Sequence, residues 1–242
     1  MKRKRNSKED STIYYLKKRE DISSYGLYVE MCYKAMLHLK EHKGYEVSDN
    51  KLYERNYIIS LAYMVGKYDG KEEKMSGLIV GGDNNKSVFS EIYNIESDDK
   101  TKIECTRTFL KFSTDYVAPD FVIHKNNRIQ DFNGRNQKLI IEAKTKSNLE
   151  FADFCRDFFK LNVYLSHLKF RYGIYLIINT PIEKINCFIH NYIVKRLYVS
   201  KKCKNRLLFL IQENENDVPS LHIFNRNPLI SIDSLITSNM SG

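Results

Sequence analysis

Apolar positions recur along this chain in two periods, one near 3.6 residues and one of two, and the switches between them mark out the elements. Residues 22–42 carry Leu27, Met31, Ala35 and Leu39 near one stripe, thickened by Tyr25, Tyr28, Tyr33 and Met36, which predicts a helix. Gly44 suits its end. Asp49 and Asn50 suit the N-cap of a second helix over 52–68, with Ile58, Leu61, Ala62 and Val65 on its buried face. Residues 66–86 are rich in glycine and charge and read as a connection, and Gly81-Gly82-Asp83 lacks the Gly-Lys-Ser/Thr of a phosphate loop. Residues 87–95 alternate, with Phe89, Glu91, Tyr93 and Ile95 on one face, and 103–112 reads as a further extended segment. Two short apolar runs, 118–124 and 139–145, predict strands joined by a polar connection. A strong helical stripe follows over 151–169, through Phe151, Phe154, Cys155, Phe158, Leu161, Leu165 and Leu168. The continuous apolar run 172–179 fits a buried central strand. Pro181 opens an amphipathic helix through Ile182, Ile185, Phe188, Ile189 and Ile193, and 207–212 and 221–224 add two strands.

The two strands at 118–124 and 139–145 carry charge where apolar residues belong. Side chains alternate along a strand, so Asp120, Val122 and His124 share one face, as do Ile140, Glu142 and Lys144. Neighbouring strands can therefore bring Asp120, Glu142 and Lys144 together. Buried unpaired charge costs several kcal/mol, and two adjacent carboxylates repel unless a cation or a shared proton relieves them. Hard cations such as Mg2+ take oxygen ligands, commonly one or two carboxylates beside a substrate phosphate. A structural Glu142–Lys144 ion pair is the plainer alternative for two of these residues; the third favours chemistry. Counting back along the second helix places Glu54 on its buried side, held by the helix N-terminus, by a lysine or for a metal.

Pro119-Asp120, then twenty-one residues, then Glu142-Ala143-Lys144 resembles the signature of the PD-(D/E)XK nuclease superfamily. Tyr53-Glu54-Arg55-Asn56, Glu91-Ile92-Tyr93-Asn94 and Asp157-Phe158-Phe159-Lys160-Leu161 resemble further elements of a bacterial branch of it. The resemblance spans 52–179 and implies an α/β, restriction-endonuclease-like core, with a central mixed sheet flanked by helices and extra elements at both ends. It implies a Mg2+- or Mn2+-dependent endonuclease that hydrolyses phosphodiester bonds, of DNA ahead of RNA. Asp120, Glu142 and the Ala143 carbonyl would hold the metal, Lys144 would position or activate the water, and Glu54 or Glu91 would be the additional acid. Lys160 would approach the scissile phosphate. The setting would be restriction, antiviral defence or mobile-element movement. A catalytically silent nucleic-acid-binding or assembly module of a larger nuclease complex is the alternative, and a hydrolase of small phosphates lacks any visible pocket motif.

Composition changes this picture little. The 242 residues suffice for one sizeable core, and 39 Lys+Arg against 30 Asp+Glu give a net charge of +9, which favours polyanionic partners. No apolar run approaches the length of a membrane span, and a cytoplasmic protein is expected. Five cysteines without a Cys-x-x-Cys pair read as reduced thiols. Residues 1–20, opening on Lys2-Arg3-Lys4-Arg5, read as a flexible basic arm, 21–180 as the core with its N-terminal helices, and 181–242 as an appended helix and strands. Lys195, Arg196, Lys201, Lys202, Lys204 and Arg206 fall within twelve positions flanked by Tyr192 and Tyr198, a pattern that suits nucleic-acid contact. No ATPase, helicase or sequence-reading motif accompanies them, so a protein partner or a homodimer would supply what the chain lacks.

Overall fold

Seven strands form one mixed sheet in which alternate side chains feed two separate apolar layers. The structure, a computed structural model, describes residues 13–42, 46–47, 51–52, 54–69, 78–81, 86–87, 97–112, 116–125, 137–214 and 216–227. Its elements are β1 (Ile13–Arg19), α1 (Leu27–His42), β2 (Glu46–Val47), β3 (Lys51–Leu52), α2 (Glu54–Asp69), β4 (Leu78–Gly81) and β5 (Lys86–Ser87). There follow α3 (Ser97–Phe109), β6 (Tyr116–Val117), β7 (Phe121–Lys125), β8 (Gln137–Lys144) and α4 (Phe151–His167). The chain continues through β9 (Tyr172–Ile178), α5 (Ile182–Val194), β10 (Leu207–Gln212) and β11 (Ser220–Asn227). The sheet order is β1-β11-β10-β9-β8-β7-β4. Strands β8, β9 and β10 run parallel, and the other neighbours pair antiparallel.

The parallel centre has the composition that burial on both faces demands. In β8, Leu139, Ile141 and Ala143 join the layer under α1 and α2, with Ile174, Leu176 and Ile178 of β9 beside them. Ile140 of β8 and Tyr175 and Ile177 of β9 face the opposite layer, packed by α4 and α5. Gly173 lets α4 close on β9: a Cβ there would lie 3.1 Å from Leu165 Cδ1. Phe154 stacks on Phe158 and on Tyr175, with centroids 5.5 and 5.3 Å away. At the start of α5, behind Pro181, the Ile182 amide donates to Glu213 Oε2 at 3.0 Å, satisfying one helix-end donor.

Several expectations are corrected. Residues 13–19 do not belong to a flexible arm: β1 pairs along its whole length with β11, and Leu16 packs on the α4 layer. Residues 1–12 lie outside the described residues. The segment 103–112 is not extended. It belongs largely to α3, because Ile103 and Leu110, both buried, are seven residues apart and share one helical face. The strand beside β7 is β4, within the glycine-rich stretch read as a connection. The expected strand at 87–95, Glu91 included, lies almost entirely outside the described residues, as do the caps Asp49 and Asn50. The α/β class, with a mixed sheet flanked by helices, is as expected. No helix among the described residues is long and apolar enough to cross a membrane. The five cysteines are free; Cys32, Cys155 and Cys203 are buried, and Cys105 and Cys187 are exposed.

Candidate active site

The charged residues of the two central strands meet at one end of the sheet. Asp120 sits at a bend just before β7, and its Oδ2 accepts a 2.8 Å hydrogen bond from the Ala143 backbone N–H of β8. That bond anchors the carboxylate to the strand that bears Glu142 and Lys144. Antiparallel pairing of Phe121 with Ile141 sets the register, and the two-residue period turns Glu142 to the side of Ile140, toward α4. Glu142 is fully buried, and Lys144 ends the strand at the rim. Glu54, in the first turn of α2, reaches the same rim from the other layer.

Helix α4 supplies the rest. Asp157, Lys160 and Tyr164 follow at spacings of three and four and so share one face. Lys160 Nζ bridges Glu142 Oε2 at 2.5 Å and Asp157 Oδ1 at 2.7 Å. Lys144 Nζ lies 2.9 Å from Asp157 Oδ2 and 3.1 Å from Glu54 Oε1, and donates to its neighbour's carbonyl, Ala143 O, at 3.0 Å. Each lysine is thus shared between two carboxylates, and Asp157 touches both lysines. Glu142 Oε1 is buried and makes no hydrogen bond of good geometry, and the buried Tyr164 hydroxyl lies close enough to interact with the carboxylate.

Electrostatics sort these groups. Burial pushes Glu142 well above the usual carboxylate range, although Lys160 opposes the shift; Asp157 and Asp120 reinforce it by repulsion. Burial also raises Asp120, against the pull of the Ala143 N–H, and raises Glu54, against Lys144. Asp157 goes the other way. Burial works to raise it, but Lys160 and Lys144 together hold it below its ordinary value. Burial favours the neutral form of both lysines, yet the carboxylates win and keep Lys144 and Lys160 as ammonium ions. The Tyr164 phenol is raised by burial and by the Glu142 charge, so it stays protonated.

The fit to a hard divalent cation rests on donor chemistry. Asp120, Glu142 and the Ala143 carbonyl offer only oxygens, as Mg2+ requires, and Glu142 has one buried oxygen without a hydrogen bond of good geometry. Among the described residues, no three acidic, histidine or cysteine side chains meet in a ready-made metal cage. The ammonium groups of Lys144 and Lys160 instead pair with Glu54, Glu142 and Asp157. The donor set therefore fits by chemistry, with Lys160 in contact with Glu142 and Lys144 in contact with the Ala143 carbonyl.

Asp120, Glu142, Ala143, Lys144 and Glu54 come together as the sequence predicts. Lys160 belongs to this buried cluster rather than to an exposed nucleic-acid surface. Asp157 and Tyr164 join the site without having been singled out for it, although the Asp-x-x-Lys spacing of α4 carried the signal for Asp157. The basic cluster does not converge on the site. Arg206 donates to the Phe170 and Arg171 carbonyls, and Lys202 Nζ lies 3.4 Å from the Ser166 carbonyl, at the end of α4 and before the start of β9. Lys144 pairs with Ile177 near the far end of β9, five residues or about 16 Å from Tyr172. Lys195 lies 5.6 Å from the Phe109 ring. Tyr192 and Tyr198 are buried in the α4 layer, and the Tyr192 hydroxyl donates to the Tyr198 carbonyl, so neither is a stacking platform. No protein-family model, curated protein or solved structure matches the chain.

Proposed function

We propose that this chain is a metal-dependent nuclease with a restriction-endonuclease-like core, hydrolysing phosphodiester bonds of DNA in preference to RNA. The observation that carries the reading is Glu142: a fully buried carboxylate with one oxygen that makes no hydrogen bond of good geometry, one residue from Lys144 and beside the anchored Asp120. Such an arrangement costs stability, and charge clusters of this kind are retained at functional sites.

In this reading Asp120, Glu142 and the Ala143 carbonyl hold Mg2+ or Mn2+. Metal-ion chemistry at these donors would supply polarisation of a phosphoryl oxygen and a more acidic water. Lys144 remains an ammonium ion, so it orients the attacking water as a donor and stabilises charge developing on the phosphate, rather than acting as a base. Glu54 and Asp157 fix the Lys144 ammonium in place. The net charge of +9 supplies salt-sensitive attraction to a polyanion.

The second reading is a silent nucleic-acid-binding or assembly module. It is favoured by the pairing of Glu142, Asp157 and Glu54 with lysines, which gives each of these carboxylates a cationic partner from the chain itself. Incubating supercoiled, linear and single-stranded DNA, and RNA, with the protein in Mg2+, Mn2+ or EDTA separates the two. The nuclease reading expects cation-dependent cutting that disappears in Glu142→Ala and Lys144→Ala. Uncut nucleic acid bound equally by wild type and variants would instead support the silent module.

A further inference from the structure

Of the two carboxylates that Lys160 contacts, Asp157 has its other oxygen in an ion pair with Lys144, whereas the other oxygen of Glu142 is in none of the ion pairs described. Lys160 Nζ lies 2.5 Å from Glu142 Oε2, and the opposite oxygen, Oε1, is buried without a hydrogen bond of good geometry. The same Nζ lies 2.7 Å from Asp157 Oδ1, one turn back on α4. The Lys160 side chain is 14 % exposed, so its charge is largely desolvated and its alternatives are few. When all are ionised, the carboxylates of Glu54, Asp120, Glu142 and Asp157 face the ammoniums of Lys144 and Lys160 among the described residues. Two negative charges remain uncompensated, the amount one divalent cation balances.

We propose that Lys160 is the built-in counter-ion of Glu142, and that a divalent cation binds by displacing it. Resting on the metal-site reading above, this adds the competition that sets cation affinity. Without a cation, Lys160 relieves the burial of Glu142, which no water reaches. With a cation, Glu142 would be released to hold it, and Lys160 would keep its second partner, Asp157, on its own helix. The lysine moves by a change of side-chain rotamer and α4 stays where it is. Cation affinity is thereby lowered by the cost of breaking the Glu142–Lys160 pair. A site of this kind fills more readily when a polyanionic substrate adds negative charge beside it.

Calorimetric titration of Mn2+ into the full chain without nucleic acid tests this. Lys160→Met and Lys160→Gln, the second retaining a neutral hydrogen-bond donor, are expected to bind Mn2+ about tenfold tighter than wild type or more. Loss of the pair through general disruption would weaken binding instead. In the unaltered protein, the Lys160 ammonium resonance should shift on saturation with diamagnetic Mg2+, an outcome that depends on no variant folding. Equal or weaker Mn2+ binding by folded Lys160 variants, or an unmoved Lys160 resonance at saturation, overturns the counter-ion role. If wild-type Mn2+ binding is nonetheless lost in Glu142→Ala, the metal site itself stands. Absence of Mn2+ binding in wild type and in both Lys160 variants overturns both.

Discussion

Two groups of basic residues in this protein behave in opposite ways. Lys144 and Lys160 belong to no dense basic run in the sequence, and each is largely buried and shared between two carboxylates. Lys195, Arg196, Lys201, Lys202, Lys204 and Arg206 are dense in the sequence. In the fold, Lys202 and Arg206 tie the chain before β10 to backbone carbonyls at the end of α4 and the approach to β9. Lys195, Arg196, Lys201, Lys202 and Lys204 are exposed. Density of charge along a chain reports solvation. A buried lysine is set instead by where the alternation of a strand or the turn of a helix puts it against buried carboxylates.

The contrast can be broken most directly at the buried set. Asp120→Ala, Glu142→Ala and Lys144→Ala are each expected to reduce cation-dependent cleavage by about a thousandfold or more, measured as single-turnover cutting of plasmid DNA. Next in size is Asp157→Ala, which leaves two desolvated ammoniums short of a partner. Removing one member of a buried pair costs about 3–5 kcal/mol, to be read from urea unfolding.

A subtler effect separates the two buried carboxylates by pH. Glu142 has a folded value above its ordinary 4.5, so its contribution to stability is present below 4.5 and is lost as pH rises through the folded value. Unfolding free energies of Glu142→Gln should therefore gain on wild type as pH rises above 4.5. Asp157 has a folded value below its ordinary 3.8, so its contribution is lost as pH falls through that lower value. The gap between wild type and Asp157→Asn should shrink under acid. Parallel pH dependence in the two comparisons would contradict this assignment.

The smallest effect is expected at the exposed set. Replacing Lys201 and Lys204 by Ala should change stability by no more than about 0.5 kcal/mol and leave the cleavage rate within about a factor of two. A large loss of DNA affinity with a flatter salt dependence would instead place nucleic acid on that face.

Much of this arrangement was legible in the sequence, for reasons specific to each residue. The period of two fixes Glu142 and Lys144 on one side of β8, and helical phasing turns Glu54 of α2 toward the same rim. Asp157 and Tyr164 were harder to place, because α4 is buried by the sheet on one side and by other elements elsewhere. Asn162 accepts from the Ser200 amide at 3.1 Å, and Thr106 of α3 accepts from the Tyr198 amide at 2.8 Å, away from the carboxylates. Ala152 and Arg156 are exposed near the start of α4, but every residue from Leu161 to Ser166 is buried, so polarity there marks no solvent face. Strand β1 was obscured by Lys17, Lys18 and Arg19, whose charges suit an exposed edge; pairing with β11 settles its structure, and local preference does not. The basic cluster misled because Tyr192 and Tyr198 look like stacking groups in sequence, while their rings fill the core beside Phe158 and Phe159.

The central claim is that Asp120, Glu142 and the Ala143 carbonyl hold a hard cation. Anomalous diffraction at the manganese edge, from crystals of the protein grown in saturating Mn2+, tests it most directly. The predicted result is a peak within coordination distance of all three oxygen donors, with the Lys160 ammonium withdrawn from Glu142. Saturated crystals with no peak beside Glu142, and Lys160 still paired to it, would contradict the account.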